Sequence, residues 1–121
     1  MPSKQGYPFP RCLRLLKPDE YRRVFSDGLR SVDKFFLVLA VPNGLEDARL
    51  GLAVSKKNSR RAVDRNRIKR VIRESFRQQR LELAGLDLVV VSRRGVSQAD
   101  NRRCFDSLNK HWQRVAEICA E

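Results

Sequence analysis

The side chains best able to do chemistry in this sequence are its cations. Between Lys56 and Arg80 the chain carries eleven basic residues and two acidic ones, a net of +9, while the rest adds only +3 to the total of +12. So concentrated a field repels itself in the folded state, and a polyanion is the partner that relieves it. The residue types narrow the chemistry further. Guanidinium forks grip phosphate oxygens bidentately, and Asn66 offers both a donor and an acceptor to a sugar or base edge. A membrane surface would attract the same charge, but it requires an apolar face open to lipid.

No second group of residues suggests a reaction centre. His111 is the one histidine; it has no visible partner and reads as an ordinary surface or flanking residue. Cys12, Cys104 and Cys119 lack metal-ligand spacing, so no metal site is expected; they read as small buried or half-buried thiols in a reducing cytoplasm. Asp64 and Glu74 lie inside the cationic field and cannot neutralise it. A free-standing metal-dependent ribonuclease would need clustered carboxylates. No catalytic residue is expected in this chain.

A long helix must position the cations, and the periodicity predicts one from about Ser59 to Leu83, ended by Gly85. With Ile68 at the origin and about 100 degrees per residue, Val71, Ile72 and Phe76 form an apolar stripe. Asn66, Lys69, Arg70, Arg73, Arg77 and Arg80 then share the opposite face. A merely solvated face gains from mixed signs at i,i+4, whereas this one stacks like charges. Lys56 and Lys57 extend the positive surface around the helix start.

The surrounding elements follow from pattern. Pro18-Asp19-Glu20 opens a first helix, with Tyr21, Val24 and Phe25 on one stripe and Gly28 as its stop. Its two aromatics read equally well as core or as a stacking edge. Leu29 to Asp33 is a short edge strand and Phe35 to Val41 a strong strand broken by Pro42-Asn43-Gly44. Arg49 to Ser55 turns Leu50, Leu52 and Val54 one way and the small Gly51, Ala53 and Ser55 the other, leaving a face that something can approach closely. These strands suggest a hairpin meander. Leu86 to Ser92 is apolar throughout and expected to be central. Ser97-Gln98-Ala99-Asp100 resembles a helix cap, and Phe105, Leu108, Trp112 and Val115 form the core stripe of the last helix. A small sheet covered on one face by helices, with the other face partly open, satisfies every stripe.

Length and composition agree with one domain: 121 residues, 41% hydrophobic and 33% charged, is globular rather than disordered. The longest apolar run, Phe35 to Pro42, falls well short of the roughly 20 residues of a membrane span. Residues 1–10 lack an apolar signal-peptide core and are expected to be a flexible lead-in to a single domain at 11–119.

A helix-turn-helix is not available, because a strand flanks the basic helix on each side, and heptads for a basic zipper are missing. Curved or single-stranded RNA suits a long basic helix beside an open sheet better than DNA does. The run Ser55-Lys56-Lys57 followed by Arg61 through Glu74, with Arg65-Asn66-Arg67 at its centre, closely resembles the signature of the bacterial ribonuclease P protein family. The resemblance extends over nearly the whole domain, from Arg14 and Leu15 through Tyr21, Phe25 and Gly28 to the last helix.

The resemblance implies an α/β two-layer sandwich like domain 2 of ribosomal protein S5, in the order α-β-β-β-α-β-α, with a left-handed β-α-β crossover. It implies two partners, the catalytic RNA of ribonuclease P and precursor tRNA, with no membrane and no obligate protein partner. Arg65, Asn66, Arg67, Lys69, Arg70 and Arg73 would hold the catalytic RNA, with Arg61 and Arg77 extending that surface. Tyr21 and Phe25 would face the single-stranded 5′ leader of precursor tRNA, with Lys56, Lys57 and Phe36 completing the leader site. Tyr21 stands where the family commonly has phenylalanine. The RNA subunit would bind the catalytic Mg²⁺ and carry the chemistry. The main competing reading is a structural RNA-binding protein, such as a ribosomal one, without a leader cleft.

Overall fold

The computed structural model describes Arg14, residues 17–57 and residues 59–120; the expected lead-in at 1–10 and Cys12 lie outside them. The first helix, α1 (Pro18–Asp27), starts as its sequence dictates. Pro18 takes the first turn, and the Lys17 backbone N–H donates to Glu20 Oε1 at 3.0 Å. Gly28 ends the helix for want of space: a Cβ there would fall 2.4 Å from the Val24 carbonyl oxygen.

Four strands follow: β1 (Leu29–Val32), β2 (Phe36–Pro42), β3 (Arg49–Ala53) and, after the basic helix α2 (Ala62–Gln78), β4 (Leu86–Ser92). They form one sheet in the order β1-β2-β4-β3. The expected meander is therefore only half present. β1 and β2 make the hairpin, but β3 pairs parallel with β4, which inserts between it and β2. β4 is apolar on both faces, so the centre of the sheet is where it loses most water-exposed area. A parallel β3–β4 pair needs a long crossover, and α2 supplies it.

α2 is shorter than its periodicity suggests. Residues 79–84 continue as turns that bury Leu83, and Gly85, at φ +83, makes the left-handed entry into β4. The cap expected at Ser97 belongs instead to a 3₁₀ turn (Arg94–Gln98). The last helix, α3 (Asn101–Ala120), is capped by Asp100, whose Oδ1 accepts the Arg103 N–H at 2.9 Å.

The main core lies on one face of the sheet. Ile68, Val71, Ile72 and Phe76 of α2 and Cys104, Leu108, Trp112 and Val115 of α3 bury against Phe36, Val38, Ala40, Leu50, Leu88 and Val90. Trp112 meets Phe76 edge to face at 6.3 Å and donates from Nε1 to Ser75 Oγ at 2.8 Å. On the opposite face, Val24 of α1 packs on Leu39, Val41 and Val89. Helices therefore lie on both faces, because α1 has an apolar stripe of its own to bury.

His111 is not a surface residue: it is 1% exposed. Ser31 of β1 and Asp33 of the β1–β2 turn lie against α3 and supply the partners that a local reading cannot see. Ser31 Oγ accepts from Arg114 Nη1 at 2.9 Å and shares a hydrogen bond with His111 Nδ1 at 2.6 Å. The other ring nitrogen, Nε2, lies 3.2 Å from Asp33 Oδ2 without good hydrogen-bond alignment. Burial lowers the His111 pKa, opposed by Asp33. The Asp33 carboxyl is also held below its usual range. Burial would raise it, but hydrogen bonds from Ser107 and the Phe36 and Phe35 amides outweigh that. Cys104 is buried and Cys119 half-buried, both with free thiols.

Candidate nucleic-acid interface

Side chains alternate along each strand, so cross-strand pairing sorts the α1 face into rows. One row runs Arg30, Leu39, Val89, Gly51; the next runs Val32, Leu37, Val91, Ala53. α1 covers the first row with Val24 and Tyr21. At Gly51 the fit is close, since a Cβ would fall 2.6 Å from Tyr21 Cε1. The small face of β3 is thus occupied by the first helix's own aromatic ring. The second row is uncovered. Val32, Leu37 and Val91, with Arg30, Ser92, Arg93 and Arg94, line a cleft of about 430 Å³.

The position of α1 over this face is set by charge. Asp87 is fully buried, and Arg49 grips it with Nε to Oδ1 and Nη2 to Oδ2, both at 2.8 Å. Arg49 Nη1 reaches Glu20 of α1 at 2.9 Å, and Arg23 of α1 lies 3.5 Å from Asp87 Oδ2 and donates to the Pro42 carbonyl. The hydrogen bond to Asp87 is the leading reason that Arg49 holds its proton more tightly than a free guanidinium. Phe25 follows Tyr21 by one turn and is 42% exposed.

Of the expected leader residues, Tyr21 lies half-buried on the sheet and Phe25 is exposed; Lys56 and Lys57 are exposed in the turn after β3. That turn is tied to β4 where Ser92 Oγ accepts the Ser55 N–H at 3.1 Å. The lysines therefore sit at the end of the sheet that carries the cleft. Phe36 is a correction. It is 0% exposed and points into the main core, so it offers no surface to a ligand. Its neighbour Leu37 faces the cleft, because consecutive strand residues point to opposite faces. Sequence reasoning also missed Arg30, Val32, Val91, Arg93 and Arg94. The available signal was that Phe36–Val41 is apolar in both phases, which requires two covered faces or one covered face and a ligand.

The expected RNA-binding residues come together along the outer side of α2. Arg61, Asn66, Arg70 and Arg73 are exposed and Lys69 half-exposed. Among the described residues, no carboxylate ion-pairs with these cations. Burial, then the nearby Arg14, lower the Arg73 pKa. Arg77 differs: Glu74 binds it at 2.7 Å, so Glu74 does neutralise one end of the face. Arg65 and Arg67 lie on its flanks, each bonded within the protein. Arg65 Nη1 donates to the Ser59 and Arg60 carbonyls at 3.0 and 2.7 Å, and Arg67 Nη1 donates to Asn101 Oδ1 at 2.7 Å. Among the described residues no three His, Cys, Asp or Glu side chains gather in a way that could hold a metal ion.

The sequence that builds this fold matches a known group of proteins. The family model described as Ribonuclease P matches residues 9–116. The chain belongs to the ribonuclease P protein family. The ribonuclease P protein component of Thioalkalivibrio sulfidiphilus is 49% identical over 112 residues, covering 93% of each chain. That of Methylococcus capsulatus is 47% identical over 116 residues, covering 96% of this chain and 91% of the relative. Among solved structures, the Staphylococcus aureus RNase P protein superposes with a TM-score of 0.76 at 30% identity, covering 88% of this chain and 94% of that one. The Thermotoga maritima RNase P protein also gives 0.76 at 30% identity, covering 84% and 96%. The mixed sheet with flanking helices is therefore the ribonuclease P protein fold, and the function that goes with it is tRNA 5′ maturation as the protein subunit of a ribonucleoprotein enzyme.

Proposed function

We propose that this subunit binds the catalytic RNA of ribonuclease P along the outer side of α2 and holds the single-stranded 5′ leader of precursor tRNA in the cleft that α1 leaves open on the sheet. The observation that carries this reading is the uncovered row Val32–Leu37–Val91, closed at one end by Arg93 and Arg94. An apolar floor with a cationic rim suits a strand that is a π-stack and a polyanion at once. Phe25 supplies an exposed ring on the helix side, and Lys56 and Lys57 continue the positive surface toward the start of α2.

The holoenzyme cuts one phosphodiester bond and leaves a mature tRNA 5′ end. Such hydrolysis calls for metal ions to activate water and stabilise the leaving oxygen, and we assign the Mg²⁺ and the chemistry to the RNA. The protein's part is to add leader affinity, separate precursor from product and screen RNA charge, in the cytoplasm. The test is 5′-end cleavage of a precursor tRNA at low Mg²⁺ by a bacterial ribonuclease P RNA alone, this protein alone, and both together. Activity in the mixture only is expected. Tight RNA binding with no gain in cleavage would instead indicate a structural RNA-binding protein.

A further inference from the structure

The Arg65-Asn66-Arg67 triplet divides into two kinds of residue. Asn66 is exposed, and its side chain makes no hydrogen bond to another described residue. Both arginines are turned back into the protein. Arg65, in the first turn of α2, reaches backwards to two carbonyls of the segment that leads into the helix, Ser59 at 3.0 Å and Arg60 at 2.7 Å. That segment connects the Lys56-Lys57 turn to α2, and Ser59 itself is buried. Arg67 lies on the flank of α2 facing α3, where Asn101 accepts its proton at 2.7 Å. A bond from the flank of one helix to the first turn of another resists rotation of α2 about its own axis. Rotation is what would re-aim Asn66, Arg70 and Arg73.

We propose that Arg65, Arg67 and the α3 residue Asn101 are positioning residues, and that Asn66, Lys69, Arg70 and Arg73 make the RNA contacts that they aim. This rests on α2 being the RNA surface, as argued above. Arg65 shapes the approach from the lysine turn to the helix, and the Arg67–Asn101 bond sets the helix's rotation. Asn101 is the decisive member because it carries no charge. Its removal cannot cost a phosphate ion pair, and Asp100, not Asn101, caps α3, so Asn101→Ala leaves the helix start intact.

Salt dependence separates the two roles. Each phosphate contact contributes about 0.7 to 0.9 to the slope of log affinity against log salt concentration. Binding to a bacterial ribonuclease P RNA is measured across a salt series for the wild type, Arg70→Ala, Arg73→Ala, Arg65→Ala, Arg67→Ala, Asn101→Ala and the Arg67→Ala/Asn101→Ala double variant, with thermal melting confirming that each is folded. Arg70→Ala and Arg73→Ala should each lower affinity and flatten the slope by about that amount. Asn101→Ala should weaken binding about five-fold, the scale of one hydrogen bond, with the slope unchanged. Arg65→Ala should likewise lose affinity without a full contact's worth of slope, and the double variant should be no weaker than Arg67→Ala alone. If Asn101→Ala binds like wild type while Arg67→Ala loses a full contact's slope, Arg67 is a direct contact and this proposal falls alone. If Arg70→Ala and Arg73→Ala change neither affinity nor slope, α2 is not the RNA surface and both readings fall. Should Arg65→Ala fail to fold, Asn101→Ala carries the test.

Discussion

The two faces of the sheet are built from the same kinds of strand residue and end in different states. On the α2–α3 face Phe36, Val38, Ala40, Leu50, Leu88 and Val90 are sealed beneath two long helices. On the α1 face a single ten-residue helix covers the Leu39–Val89–Gly51 row and leaves Val32, Leu37 and Val91 open. The sealed face is held by apolar area, whereas α1 is held largely by charge, through Asp87, Arg49, Glu20 and Arg23. A binding cleft thus comes from stopping short of full coverage and fixing the cover by directional bonds.

The largest loss is expected on the sealed side. Trp112→Ala removes a buried ring and the Ser75 bond and should cost about 3–5 kcal/mol in urea unfolding. Where the variant remains folded, the ratio of affinities for precursor and mature tRNA should stay the same. On the other face, Asp87→Ala strips Arg49 of its buried partner and should cost about 3 kcal/mol. A loss below about 1 kcal/mol, the range of surface ion pairs, would show that charge does not hold α1.

Two smaller effects sharpen the contrast. Phe25→Ala should weaken binding of leader-bearing precursor about ten-fold, the scale of one lost stacking contact, with mature tRNA and stability nearly unchanged. Equal losses for both RNAs would remove the leader from the cleft. Gly51→Ala should displace the Tyr21 ring and produce a weaker, few-fold version of the same discrimination.

The smallest effect concerns the polar inclusion at the edge of the sealed face. The folded His111 pKa is lowered by burial, so the unfolded chain takes up the proton first. The associated stability is complete above the ordinary imidazole value of 6.5 and is lost as pH falls toward the lowered folded value. Asp33, also lowered, adds the same sign of loss only below 3.8, the ordinary carboxyl value. Melting temperature should therefore decline between pH 7 and pH 5 in the wild type, and less in His111→Asn. Parallel curves would mean that His111 is not the group that titrates.

Much of this could be read before any fold was known, and the limits fall at identifiable residues. The Ile68–Val71–Ile72–Phe76 stripe, the opposite cationic face, the central place of Leu86–Ser92 and the small face at Gly51 are local periodicities, and all stand in the structure. The errors involve residues distant in the chain. The resemblance points to Phe36 as a cleft residue, but the phase of β2 against α1, which local sequence does not show, turns it into the main core. His111 reads locally as a surface or flanking residue because Ser31 and Asp33 lie some 80 positions away in the chain. The meander failed because β4, the best partner for both β2 and β3, comes after α2.

The order of helices and strands, the concentration of positive charge and, through the Arg65-Asn66-Arg67 signature, the family were legible in the sequence. Those properties depend on residues within a few positions of one another. Tertiary structure alone decided strand order, which row of the α1 face stays open, and which arginines of α2 turn inward. Each of these is a competition among partners far apart in the chain, settled by the area and hydrogen bonds that the whole fold can satisfy at once.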